Sequence, residues 1–263
     1  MNYTLPNKLK LFAIILMVLG AVGIGAGFLS APGSTAEVKQ MMAAHGDDHG
    51  EASNESHDTI KDSHGDAAAH GASHDAADEQ KHLEHTLHQL QNRPWSALYV
   101  ACFFFFMIAL GALAFYAVNF AAQAGWSPVL FRVMEAVTAY LVPGGIIMFV
   151  LLGLSGFHIN HLFVWADPEV VAHDVLLQGK AGWLNGTWML IRAAIFLGGW
   201  ITYRHFAVKF SRAGDTAKEN DYSNFKKTFR ISAGFLVFFL YTESMMSWDC
   251  IMSFDPHWFS TLF

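Results

Sequence analysis

The chain has 263 residues, of which 53% are hydrophobic, 14% aromatic and only 14% charged, where a soluble domain carries about 25% charged residues. Mean hydropathy is +0.30 although a long polar segment is included, so the composition excludes an ordinary soluble enzyme and specifies an integral membrane protein. The net charge of −6 is concentrated in that polar segment. Two cysteines, Cys102 and Cys250, both inside apolar runs, give no disulfide framework, no CxxC and no iron–sulfur or c-type haem motif.

Leu9 to Leu29 is an apolar run behind Lys8 and Lys10. Its apolar part, about 19 residues, exceeds the roughly 7–15-residue core of a secretory signal, so residues 1–31 are read as an uncleaved first transmembrane helix. Residues 32–92 form a low-complexity extramembrane segment rich in His, Asp, Ala, Gly and Ser. It holds nine of the fourteen histidines: His45, His49, His57, His64, His70, His74, His82, His85 and His88. They read either as a metal-gathering loop or as a solvated linker that cannot bury a core. No fixed ligand spacing occurs, and no metal site is assigned. Glu79 to Leu90 is amphipathic and predicts a short surface helix.

Residues 93–263 predict a four-helix transmembrane bundle. Its first helix is Pro94 to Phe120, anchored by Arg93-Pro94-Trp95. The next, Pro128 to Gly156, carries Arg132 and Glu135 on one face, and Pro143-Gly144-Gly145 predicts a kink or close crossing. Leu162 to Gly182 reads as a loop with a short amphipathic piece. Trp183 to Ile201 is the following span, with Arg192 in its middle. A basic loop, Tyr203 to Arg230, leads to the last run, which Glu243, Asp249 and Asp255-Pro256-His257-Trp258 interrupt and close. The fold class is therefore all-α, a polytopic bundle with five predicted spans.

The loop at 203–230 holds Arg204, Lys209, Arg212, Lys218, Lys226, Lys227 and Arg230. The positive-inside rule places it in the cytoplasm. Five spans then put Lys8 and Lys10 inside as well, with the His-rich segment in the periplasm. The same topology gathers His158, His161, Asp167, His173, Asp249, Asp255 and His257 on the outer side.

An ionisable side chain within a span marks a candidate site because hydrocarbon penalises charge by several kcal/mol. At ~1.5 Å per residue, Arg192 and Glu243 both lie roughly 13 Å below the outer surface, which predicts an Arg192–Glu243 pair. Glu135, Arg192, Glu243, Asp249 and Asp255 form a candidate proton route. Each reads equally as a structural ion pair or a solvated rim residue. His158, His161, Asp249 and His257 are the outer-face candidates for accepting or releasing protons. Met245, Met246, Met252, Trp248, Phe254 and Trp258 either line a quinone slot or pack helices.

The runs LNGTWMLIRAAIFLGGWITYRHF (Leu184–Phe206) and ESMMSWDCIMSFDPHWFSTLF (Glu243–Phe263) resemble the NrfD/polysulfide-reductase-type membrane subunits of the bacterial alternative complex III, a quinol:electron-carrier oxidoreductase. The resemblance covers residues 128–263. It implies a bacterial inner-membrane protein built as two four-helix units, of which the chain carries the first, with another span beginning near Phe263. It also implies menaquinol as electron donor, with c-type haems and iron–sulfur clusters confined to partner subunits. Those partners are a related NrfD-like subunit, an iron–sulfur subunit and c-type cytochrome subunits. The surroundings are membrane lipid and not nucleic acid, and catalysis by this chain alone is not expected. A non-catalytic scaffold subunit, or a metal-ion transporter or sensor using the His-rich loop, are the alternatives.

Overall fold

The computed structural model describes residues 6–45, 71–157, 159–160, 162–218 and 221–258. Every regular element among them is helical. The chain divides into two compact units, Met1–Trp95 and Ser96–Phe263.

In the first unit, α1 (Asn7–Leu29) contains no buried residue, as suits a helix solvated by lipid on its apolar sides. Phe28 meets Trp95 edge to face, with ring centroids 4.8 Å apart. The Gln91 amide donates to the Pro32 carbonyl at 3.1 Å. α2 (Thr35–His45) starts from a capping motif: Ser34 accepts from the Glu37 N–H, and the Glu37 carboxylate accepts from the Gly33 N–H at 2.8 Å.

α3 (Gly71–Ala121) fuses the expected surface helix at 79–90 with the expected span at 94–120, and the boundary between the units falls inside it. Pro94 was expected to open a helix but lies within this one. Its missing N–H removes a single bond, to the carbonyl four residues earlier, and helix-forming Gln, Leu and Ala on both sides carry the helix past it.

The second unit contains the rest of α3 and α4 (Phe131–Val137), α5 (Leu141–Gly156), α6 (Pro168–His173), α7 (Val175–Lys180), α8 (Gly186–Asp215) and α9 (Ser223–Cys250). Along α3, Tyr99, Phe106, Leu110, Leu113, Ala117 and Phe120 recur every three or four residues and are buried. Val100, Phe104, Phe105, Ile108 and Phe115 point outward. Trp200 of α8 is fully buried, with its ring near those of Phe106, Phe196 and Phe239.

Two departures from the expected elements have local causes. The irregularity expected at Pro143-Gly144-Gly145 falls earlier, as a 3₁₀ turn at Thr138–Tyr140 between α4 and α5. Pro143 cannot donate to the Ala139 carbonyl, and its ring crowds that carbonyl, so the turn before it tightens. The expected basic loop at 203–230 is mostly helix: α8 runs on to Asp215 and α9 begins at Ser223. Nothing between Arg204 and Ala213 breaks a helix, and Gly214 is the first residue that favours stopping.

Among the described residues, three helical stretches are long and apolar enough to cross a membrane: Asn7–Leu29, Thr86–Ala121 and Ser127–Gly156. The chain thus has membrane-protein character. The other two expected spans fall on α8 and α9, which have the length, at 30 and 28 residues, but carry more charged and polar residues.

Candidate functional site

The ionisable residues of the second unit gather at its two ends. One is the α6–α7 end, where α5 and α9 finish and α8 begins. The other is the α8–α9 turn end.

At the α6–α7 end the side chain of Arg192 meets Asp249. The Arg192 Nε donates to Asp249 Oδ2 at 2.7 Å and its terminal nitrogen to Oδ1 at 2.8 Å. The same terminal nitrogen donates to the Trp183 carbonyl at 3.0 Å, and the guanidinium lies 4.2 Å from the centre of the Trp183 ring. The Trp183 indole N–H closes the set by donating to Asp249 Oδ1 at 2.9 Å. Both charged side chains are largely withdrawn, with 15% of Arg192 and 5% of Asp249 exposed. Such a fork-on-fork pair is the strong form of a charge-assisted hydrogen bond.

The expected Arg192–Glu243 pair does not form. Glu243 instead accepts from Ser247 at 3.3 Å. The reason is side-chain direction. Helical side chains lean toward the helix N-terminus, so Arg192 reaches toward the start of α8 while Glu243, on the antiparallel α9, leans away from it. Asp249 lies six residues beyond Glu243, roughly 9 Å further along the axis, where the guanidinium arrives.

Trp183 also lines an apolar cavity of about 240 Å³ together with Trp248, Met252, Pro256 and Trp258. A strap formed by residues 251–258 supplies part of its lining. Lys180 donates to the Pro256 carbonyl at 2.6 Å, and His257 Nε2 meets Asp174 Oδ2 at 2.7 Å. Asp174 also caps α7, its Oδ1 accepting from the N–H groups of Leu176 and Leu177. Asp255, exposed, folds its own turn by accepting from the N–H groups of His257 and Trp258. Beneath the strap, the Tyr99 hydroxyl donates to the Cys250 carbonyl at 3.0 Å, and the rings of Tyr99, Phe163 and Phe254 pack together.

Asp249, Asp255 and His257 therefore share one end of the unit with Arg192, whereas His158 and His161 lie outside the described residues. Glu135 is elsewhere. At the α8–α9 turn end it pairs with Arg132 at 2.6 Å and accepts from the Tyr116 hydroxyl at 3.3 Å, and Arg132 also pairs with Asp215. Only 4% of the Glu135 side chain is exposed. Arg204 donates to Thr138 in the same region at 3.2 Å. Twelve residues of α8, roughly 18 Å, separate Arg192 from Arg204. Between them the α8–α9 seam offers Trp200 bonded to Thr242 at 3.0 Å and Tyr203 bonded to Ser232 at 2.8 Å. The expected route is thus two clusters with a sparse polar seam, and Glu243 belongs to neither.

No protein-family model and no curated protein matches the chain. Among the described residues, no group of three or more His, Cys, Asp or Glu side chains is placed to hold a metal ion.

Lys180, Trp183 and Asp174 are site residues that sequence reasoning missed. Asp174 carried a signal, an aspartate directly ahead of an apolar helical turn, which reads as an N-cap. Trp183 carried none, since its role depends on Asp249, 66 residues away.

Proposed function

We propose that the chain is a membrane subunit of a respiratory quinol:electron-acceptor oxidoreductase, and that the α6–α7 end of its bundle holds the quinol headgroup. The observation that carries this reading is the buried Arg192–Asp249 pair, which shares Trp183 with the apolar aromatic cavity. An aromatic slot with a few fixed polar groups at its wall suits a flat, weakly polar ring. Oxidising a quinol removes two electrons and two protons. The electrons pass to a partner subunit carrying iron–sulfur clusters or haem. The protons leave through groups at the exposed rim, for which Asp255 and His257 are available. Asp249 is not a free base in this scheme: three N–H donors already occupy it, so it orients Trp183 at the wall and holds Arg192 behind it.

Positive-inside charge supports placing this end on the periplasmic face of the bacterial inner membrane, with the N-terminus and the α8–α9 turn in the cytoplasm.

The test is titration of the full chain in lipid nanodiscs with a short-chain menaquinone analogue, read as quenching of tryptophan fluorescence. Saturable quenching is expected, weakened at least tenfold (about 1.4 kcal/mol) in Met252→Trp, which fills the slot without touching the ion pair. Absence of saturable quenching, or an unchanged affinity in the variant, overturns the quinol site.

A second reading is favoured by the same pair. Arg192, Asp249 and Trp183 bind one another and tie α8, α9 and the segment before α8 together, as a scaffold subunit requires. Met252→Trp in the assembled complex separates the two readings: lost turnover with all subunits present supports the first, and full turnover with all subunits present the second.

A further inference from the structure

The α8–α9 turn end carries a second cavity, of about 260 Å³. Four phenylalanines converge on it from four helices or their edges: Phe120 of α3, Phe131 of α4, Phe210 of α8 and Phe225 of α9. Phe120 stacks on Phe131 with centroids 4.2 Å apart and meets Phe225 at 5.6 Å. Phe225 is 40% exposed, so the aromatic lining opens to the surroundings. At the rim, Lys227 Nζ stands 5.7 Å from the centre of the Phe210 ring. Lys226 precedes it in α9, and both lysines are exposed.

Depth and charge decide what fits. α8 has 30 residues, a length of about 45 Å. That equals a bilayer of about 40–45 Å with its headgroups included, so α8, read as a span, carries its last turn and the first of α9 to headgroup level. Residues 203–230 hold seven basic and three acidic residues, a net of +4, whereas residues 157–185 at the opposite end hold one basic and three acidic, a net of −2. Arg132 contributes little to this field, because Glu135 and Asp215 neutralise it. The attraction for anions comes from the lysines and arginines of the turn.

We infer that this cavity binds an anionic phospholipid of the adjoining leaflet, its phosphate held by Lys226 and Lys227 and its glycerol and first methylenes lying against the phenylalanine rings. Clustered basic residues beside a membrane-embedded helix end attract anionic headgroups, and the open aromatic hollow beneath them accepts the apolar part of the same molecule. The site does not depend on which face of the membrane the turn occupies.

The experiment is native mass spectrometry of the full chain released from micelles that contain equal phosphatidylglycerol and phosphatidylcholine. The wild-type chain is expected to retain one phosphatidylglycerol with at least fivefold preference. Lys226→Gln/Lys227→Gln, at two exposed positions, is expected to bring that preference to unity with unchanged helicity. Salt at about 1 M, where screening extends over only ~3 Å, is expected to abolish the preference without any substitution. Equal retention of both lipids by the wild type, or a preference surviving salt or the double substitution, overturns the proposal. Displacement of the lipid by equimolar glycerol phosphate would assign the site to phosphate alone, and a lipid-free dimer would assign the cavity to a second copy of the chain. Either result rejects a lipid site.

Discussion

Arg192 lies six residues into α8, about 9 Å from its first turn, and its side chain is long enough to leave that depth. The position of the charge is therefore set by Asp249 and Trp183 and not by the α-carbon of Arg192. Removing one partner of a buried pair leaves the other uncompensated, which costs about 3–5 kcal/mol, whereas replacing both with apolar residues of similar size is often neutral. Asp249→Asn is expected to lower the unfolding free energy by several kcal/mol in detergent, and Arg192→Met/Asp249→Leu to recover most of it. A thermal or denaturant melt of the three proteins checks this. Equal destabilisation by the single and the double variant would mean that the pair stabilises the bundle in itself.

Asp174 is the residue whose protonation reaches furthest. Partial desolvation works to raise its pKa, but the N–H groups of Leu177 and Leu176 and the ring of His257 outweigh that and hold its carboxyl below the ordinary aspartate range. A folded pKa below the unfolded one means that the stabilisation is complete above the unfolded value, ~3.9, and fades as pH falls through the lowered one. The strap at 251–258 is therefore expected to loosen only in acid, below about pH 4. Trp258 fluorescence against pH reads this directly. Asn is an N-cap as good as Asp, so Asp174→Asn keeps α7 while removing the titrating group. Its acid transition should be flattened, and an unaltered one would place the acid sensitivity elsewhere.

At the scale of elements, α8 is the organising helix. It crosses α5 at Gly156 and Gly186, where a β-carbon added to Gly186 would stand 3.2 Å from the Gly156 α-carbon. Backbone meets backbone there and cannot swing aside. Gly186→Leu is expected to force α5 and α8 apart at a cost of about 1–3 kcal/mol, the range for overpacking a filled site. A fall in melting temperature with helicity retained would show it. Gly186 is also the first residue of α8, capped by the Asn185 side chain on the Thr187 N–H, so the contact fixes where the helix starts as well as how close it comes. The order of helices and the stretches that are apolar could be read in advance, because composition and period are local properties. Helix ends were harder. Pro94 reads as a start and Tyr203 to Arg230 as a loop, yet Pro94 lies inside a helix and Tyr203–Asp215 and Ser223–Arg230 are helical, because a chain extends a helix wherever nothing stops it and neighbours cover one face.

In the second unit, charge is distributed by end: basic residues crowd the α8–α9 turn, and acids collect where α9 finishes. That asymmetry, the membrane character and the all-helical class follow from the sequence alone, since hydrocarbon length, backbone hydrogen bonding and the sign of surface charge depend on residue type and order. The candidate residues too were legible as types: Arg192, Glu243, Asp249, Asp255 and Glu135 stand out because ionised groups are costly in apolar runs. Only the tertiary structure decided their partners. Side chains lean toward helix N-termini, antiparallel helices lean oppositely, and a guanidinium spans more than one turn, so equal depth did not make Glu243 the partner of Arg192. The same geometry separated Glu135 from Arg192 and brought Trp183 onto Asp249 across 66 residues.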